Sequence, residues 1–281
     1  MLRKVKIKRG NGKPDAAPVL DAAPLEEEAS TLDDIVAELE PKRHVPLTPK
    51  VLVVAVIDLS GSMTNSGAAK LALKAGTAVL DEGRKDVLFR QNVEYAVIGY
   101  GSNAVVLRHF GPFQPDGDGE IWEDANAVGP DGTMSAAALL LAFQLLDSRK
   151  AELAELGVPC KAKFCVLLTD GRATDSDHAY ADACLKRVQR ERADKFFKVF
   201  GVAVGGAVDF AKLEQLVGQP VALDGLKFSQ FWNWIRQSAV QASRTKMGEA
   251  FELPNPFASP GNQETGFAKD PRWIEGMGPK S

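Results

Sequence analysis

Cysteine is scarce in this chain, and the few present form no pattern. Cys160, Cys165 and Cys184 are the only three, an odd count without paired spacing, which excludes a disulfide framework and a cysteine-built zinc site. Cys165 lies within an apolar run and reads as a small core residue, and the set as reduced thiols of a cytoplasmic protein. Histidine is equally sparse: His44, His109 and His178 stand far apart without metal-ligand spacing. No run of 18 apolar residues occurs, and Met1 to Gly10 alternates basic and apolar residues without the hydrophobic centre of a secretory signal. Neither a membrane span nor export is expected. Surplus positive charge is missing too. A net charge of -3 argues against direct nucleic-acid binding, which needs clustered Lys and Arg.

What the chain does have is 281 residues with 45% hydrophobic content, enough for a substantial core in one large domain or two small ones. Its charge comes in blocks. Arg3, Lys4, Lys6, Lys8, Arg9 and Lys13 form a basic start, and Glu26, Glu27, Glu28, Asp33, Asp34, Glu38 and Glu40 an acidic stretch. Such blocks are usually solvated; the alternative is a docking arm for a partner. Residues 1–48 therefore read as a charged, Pro-containing arm, with one short helix over Ser30 to Glu40 and two prolines, Pro46 and Pro49, opposing regular structure at its end. Residues 49–246 read as the folded domain, and 247–281 as a Gly/Pro-rich tail carrying Phe257 and Trp273.

Within the domain, Val51 to Ile57 is an unbroken apolar run rich in β-branched residues, as expected for a strand buried on both faces of a parallel sheet. Ala68 to Leu80 has helical spacing. Val93 to Tyr100 and Ala104 to Leu107 read as a hairpin around Gly101-Ser102-Asn103. A Gly-, Pro- and Asp-rich loop from Gly111 to Gly132 precedes an apolar helix from Ser135 to Leu156. Lys163 to Thr169 is the next strand, Ser176 to Asp194 a charged helix, and Phe196 to Val204 another strand. Helices over Phe210 to Val217 and Phe228 to Lys246, with a short strand near Val221, complete the pattern. This alternation predicts an α/β fold: a three-layer, doubly wound, mostly parallel sheet with one antiparallel edge strand, flanked by irregular extensions. The aromatic cluster in the last helix reads as packing against the sheet.

In such sheets ligands lie beyond the carboxyl ends of the strands. There stands Asp58-Leu59-Ser60-Gly61-Ser62, a D-x-S-x-S pattern with one carboxylate and two hydroxyls in one turn, all oxygen donors suited to a hard cation such as Mg²⁺. Gly132-Thr133, before a helix, and Thr169-Asp170-Gly171, after a strand, add oxygens from neighbouring loops. Asp58 and Asp170 would end adjacent strands, where two carboxylates about 4 Å apart repel by about 4 kcal/mol at an effective dielectric of about 20; a cation removes that penalty. D-x-S-x-S alone arises by chance in about one chain of this length in ten, so its weight comes from its place in the order of elements. The same letters also have ordinary uses: Ser62 and Thr133 as helix caps, Asp170-Gly171 as a turn.

The arrangement resembles the metal-ion-dependent adhesion site of von Willebrand factor A domains, over about residues 50 to 245. The resemblance implies that Ser60, Ser62 and Thr133 are direct ligands, that Asp58 and Asp170 act through water or from behind, and that the cation is Mg²⁺, with Mn²⁺ or Ca²⁺ as substitutes. It also implies a carboxylate from a partner protein at the open position, with specificity set by the surrounding loops, Trp122 among their residues. Thr169-Asp170-Gly171-Arg172-Ala173-Thr174-Asp175 and Phe228-Ser229-Gln230-Phe231-Trp232-Asn233-Trp234-Ile235 resemble the bacterial tellurium-resistance-associated, TerY-type members. Those cytoplasmic proteins are linked with stress or defence systems, sometimes beside kinase and phosphatase partners. The charged arm and Pro-rich tail depart from a minimal member.

Three functions follow: a non-enzymatic, metal-dependent interaction module; a scaffold with a structural metal and tail-mediated contacts; and a Mg-dependent phosphohydrolase with Asp58 as nucleophile. Against the last, Ser60 stands where haloacid-dehalogenase-like phosphatases usually place a second carboxylate. Neither a G-x-x-x-x-G-K-[ST] loop nor a G-x-S-x-G turn is present.

Overall fold

The computed structural model describes residues 48–111, 128–204, 209–217, 220–223, 228–251 and 253. The expected helix over Ser30 to Glu40, the arm's charge blocks, Trp122, Phe257 and Trp273 lie outside them. Six strands, β1 (Lys50–Asp58), β2 (Val93–Tyr100), β3 (Ala104–Arg108), β4 (Cys160–Thr169), β5 (Phe197–Val204) and β6 (Pro220–Leu223), form one sheet in the order β3-β2-β1-β4-β5-β6. All neighbours are parallel except β2 and β3, the antiparallel edge hairpin. The helices are α1 (Gly61–Asn65), α2 (Ala68–Lys85), α3 (Val87–Asn92), α4 (Ser135–Glu155), α5 (Ala181–Ala193), α6 (Phe210–Val217) and α7 (Phe228–Arg244).

The sheet is covered on both faces, and β1 shows why its sequence is apolar throughout. Side chains alternate along a strand. Val51, Val53, Ala55 and Ile57 join a core with α2, α3 and α7, while Leu52, Val54 and Val56 join a second core with α4, α5 and α6. Polar residues would have no outward side to occupy. Cys165 and Cys184 belong to the second core, and all three cysteines are free thiols. Among the described residues, no helix is long and apolar enough to cross a membrane.

The aromatic cluster of α7 packs on the sheet as expected. Phe228, Phe231, Trp232, Trp234 and Ile235 are all buried. Trp232 meets Tyr95 of β2 edge-on, with ring centroids 5.9 Å apart, and its Nε1 donates to the carbonyl of Ala72 in α2 at 3.2 Å.

Several boundaries differ from the pattern in the sequence. β4 begins at Cys160, ahead of the expected Lys163, and Lys161, which disguises its first residues, finds partners as Lys163 does. Lys161 Nζ donates to the carbonyls of Ser243 and Thr245 at the end of α7, and Lys163 Nζ lies 3.4 Å from Glu191 of α5. Helix α2 continues past Leu80 to Lys85, and the unexpected α3 follows at once, capped by Asp86 Oδ1, which accepts from the backbone of Leu88 and Phe89. The charged helix starts at Ala181 and not at Ser176, because residues 175–180 turn to bring Asp175 against α4. The serine turn after β1, with Met63, is the single helical turn α1.

Trp232→Ala removes the largest fully buried side chain of the α7 interface. It is expected to lower the free energy of unfolding in urea by about 3–5 kcal/mol, the range for a large aromatic deleted from a core. Trp232→Phe, which retains part of the ring volume, is expected to lose less.

Candidate functional site

Strands β1 and β4 are neighbours and run parallel, so the loops after both emerge at one edge of the sheet. Asp58 is the last residue of β1, and Asp170 follows the last residue of β4. The Asp58 carboxylate is wholly buried. Its Oδ1 accepts from the backbone N–H of Ser60 at 2.9 Å, and its Oδ2 from the hydroxyl of Thr169 at 2.7 Å. Thr169 Oγ1 in turn accepts from the N–H of Gly171 at 3.0 Å. Desolvation pushes the Asp58 carboxyl above the usual carboxylate range. The hydrogen bonds from Ser60 and Thr169 pull against this, and the charge of Asp170 adds to it.

Ser60 and Ser62 present their hydroxyl oxygens 3.3 Å from one another, Ser60 nearly buried and Ser62 exposed. Neither is spent as a cap. Ser60 precedes α1 without a side-chain cap bond, and Ser62 lies inside that helix. Thr133 is not the cap of α4 either; Met134 holds that position, again without a side-chain bond. The capping use of these residues is therefore not realised. Asp170 does make a turn, its Oδ1 accepting from Arg172 N–H at 3.3 Å, and Gly171 takes the left-handed conformation, φ 84°, that such a tight reversal favours in glycine.

Thr133 reaches the cluster through backbone contacts. Gly61 N–H donates to the carbonyl of Pro130 at 2.9 Å, joining α1 to the loop before α4. Ser102 N–H donates to Gly129 O at 3.0 Å, and Met134 N–H to Gly101 O at 2.9 Å. The approach at Gly101 is so close that a Cβ there would lie 2.2 Å from the carbonyl oxygen of Gly129. On its other side Thr133 exchanges two bonds with Thr174: its N–H donates to Thr174 Oγ1, and its carbonyl accepts from Thr174 N–H, both at 2.9 Å. Four loops are thus tied into one edge.

Five supporting residues were not apparent as such in the sequence. Thr169 orients Asp58. Tyr100 is fully buried at the end of β2, its phenol held protonated by burial and by the charge of Asp58, and it accepts from Ser135 Oγ at 3.3 Å. Thr174 and Asp175 tie the loop after β4 to α4. Only the stretch Thr169 to Asp175, already conspicuous for its hydroxyls and carboxylates, pointed toward any of them. Among the described residues, no three His, Cys, Asp or Glu side chains gather into a metal-binding group. The oxygens here are mainly hydroxyls.

A doubly wound sheet with such a loop cluster beyond its carboxyl edge belongs to the α/β proteins that bind ligands at strand ends. The von Willebrand factor type A domain model matches residues 53–230, more than half of the chain, and the chain belongs to that family. Among solved structures it is similar to von Willebrand factor type A from Catenulispora acidiphila, 18% identical with a TM-score of 0.50 over 70% of this chain and 43% of that one. It is similar also to the pilus adhesin SpaC from Lactobacillus rhamnosus GG in its open conformation, 15% identical with a TM-score of 0.51 over 70% of this chain and 30% of that one. The chain spans less than half the length of either, and at these identities the likeness is one of fold. No curated protein matches it.

The raised carboxyl of Asp58 has a definite consequence for the protein stripped of divalent cations. A carboxyl whose native pKa exceeds its unfolded value loses stability as pH rises from near 4 through the native value. Asp58→Asn abolishes that loss while keeping the side-chain shape, and the Thr169 hydroxyl can turn to accept from the new amide. In chelator the variant is expected to match wild type near pH 4 and to gain on it as pH rises, levelling off above the native pKa of Asp58. Urea unfolding across that pH series is the check, and a constant difference between the two proteins would contradict the burial penalty.

Proposed function

We propose that this protein is a non-enzymatic, divalent-metal-dependent protein-interaction module of a cytoplasmic bacterial stress-response or defence assembly. The observation that carries the reading is the buried, hydrogen-bonded Asp58 set behind two adjoining serine hydroxyls that no cap consumes. That donor set fits a hard cation: oxygens only, most of them neutral, with carboxylate charge held behind them. Ser60, Ser62 and Thr133 are the direct ligands in this reading, and Asp58 and Asp170 hold bridging waters or act from behind. Mg²⁺ is the expected ion, with Mn²⁺ and Ca²⁺ as substitutes.

Each residue's part follows from its surroundings. Asp58, fixed through both oxygens, supplies negative charge without swinging toward solvent. Thr169 and Tyr100 keep the underside of the site ordered. The serines and Thr133 contribute hydroxyls that leave most of a cation's charge uncompensated. When bound, the cation supplies a positively charged open position that attracts a carboxylate from a partner protein. The quoted likeness of Thr169 to Asp175, and of Phe228 to Ile235, to TerY-type sequences supports the assignment to a stress or defence assembly, where kinase or phosphatase components are the expected company.

The phosphohydrolase reading finds no support in this geometry. A nucleophilic carboxylate needs an oxygen facing the substrate, and Asp58 has none exposed and both engaged. The scaffold reading, with a structural metal, differs from the proposal in one measurable respect: its partner contacts do not pass through Thr133.

Thermal and urea unfolding of the chelator-treated protein, repeated as Mg²⁺, Mn²⁺ or Ca²⁺ is added, tests the site. A cation bound only by the native state is expected to add about 2.7 kcal/mol at 100 times its dissociation constant, and Ser60→Ala and Thr133→Ala to lose most of that gain. Absence of a saturable shift in wild type sinks the metal-bridge reading. Partners recovered from cell extract are expected to be released by chelator and lost with Thr133→Ala; partners indifferent to both would favour the scaffold.

A further inference from the structure

Helix α4 carries Thr133 just ahead of its first turn, yet no side chain of its own segment caps it. The first N–H groups of a helix have no partner within the helix. One is satisfied from a distance: Asp175, in the loop after β4, accepts from Ala137 N–H through Oδ2 at 3.0 Å. Asp175 is almost completely buried, and beside it stands the Tyr180 phenol, which desolvation and the charge of Asp175 together keep protonated. Asp175 stands at the N-terminal end of a 21-residue helix, where the backbone dipole favours an acceptor of this kind. One residue earlier, Thr174 holds both backbone groups of Thr133 through the reciprocal pair at 2.9 Å. The adjacent residues 174 and 175 therefore grip the chain on both sides of Met134.

We propose that Thr174 and Asp175 are positioning residues of the cation site, capping α4 from another loop and so fixing where the Thr133 hydroxyl stands. This rests on the metal-binding reading above. Neither residue touches the cation in this scheme; each acts through the backbone of residues 133–137. The arrangement also makes the loop after β4 hold two parts of the site at once, since Asp170 begins it and Asp175 pins it to α4. A shift of that loop moves Thr133 together with Asp170.

The test uses the full chain, stripped of metal, with Mn²⁺ as the probe and its dissociation constant read by electron paramagnetic resonance of the free ion. Three variants are compared with wild type: Asp175→Ala, which removes the acceptor; Asp175→Asn, which keeps an oxygen for Ala137; and Thr174→Val, which removes only the acceptor of Thr133 N–H. Loss of an orienting partner weakens metal binding by about 10- to 100-fold. That loss is expected for Asp175→Ala and Thr174→Val, with Asp175→Asn recovering most of the affinity. Urea unfolding without metal separates folding from positioning, because a folded protein that is merely less stable keeps its dissociation constant. Should Asp175→Ala not fold, Thr174→Val decides. Wild-type affinity in the folded variants overturns the positioning role alone, whereas no Mn²⁺ binding by wild type overturns the site and this proposal with it.

Discussion

The carboxyl edge of this sheet is organised around one buried carboxyl group. The Asp58 carboxyl group sits where two parallel strands end, out of contact with water, and two hydrogen bonds offset part of the cost of burying it there. The bond to Thr169 runs across the β1–β4 boundary, and the bond from Ser60 folds the next residues back over the strand end. One carboxyl group thus joins the central strands to the loop that bears the serines. The neighbouring charge of Asp170 raises the strain on it further. In the proposed reading a bound cation offsets the cost of keeping this carboxyl ionised in the core.

The loops around that carboxyl group are organised by backbone contacts more than by side chains. Gly61 meets Pro130 and Ser102 meets Gly129 through main-chain groups, and Thr133 meets Thr174 through one main-chain bond and one bond to the Thr174 hydroxyl. The close approach at Gly101 belongs to the same design, since any side chain there would collide with a carbonyl. Main-chain contacts of this kind leave the hydroxyls of Ser60 and Ser62 unspent as caps and facing one another. Rigidity is supplied by the backbone, and the chemistry is left to the side chains. The opposite end of the sheet is built differently, from ion pairs such as Arg149 with Glu94 at 2.7 Å and Lys163 with Glu191, which accommodate charge beside the core without creating an open position.

The outline of the domain could be read directly because its periodicities are strong. An apolar run such as Val51 to Ile57 has no polar side to offer, so it must be a central strand with helices above and below. The edge hairpin was marked by Gly101-Ser102-Asn103, and the last helix by its aromatic spacing. Where reading failed, long-range partners were the cause. Lys161 looks like the end of a loop until the carbonyls of α7 are placed opposite it. Helical spacing carried the predicted helix back to Ser176, but Asp175 is drawn to the start of α4, and the chain between Asp175 and Ala181 must turn to allow it.

The sequence by itself determined the order of the strands and of the five longer helices, and the residue types after β1, before α4 and after β4, because these are local properties of spacing and composition. Tertiary structure alone decided what those residues do to one another. That Asp58 is held by Thr169 and that Ser62 and Thr133 do not cap their helices depends on contacts between segments far apart in the chain. So does the capping of α4 by an aspartate from a loop 38 positions away. A residue's letter states which bonds it can form; only the packing of the sheet states which partner arrives.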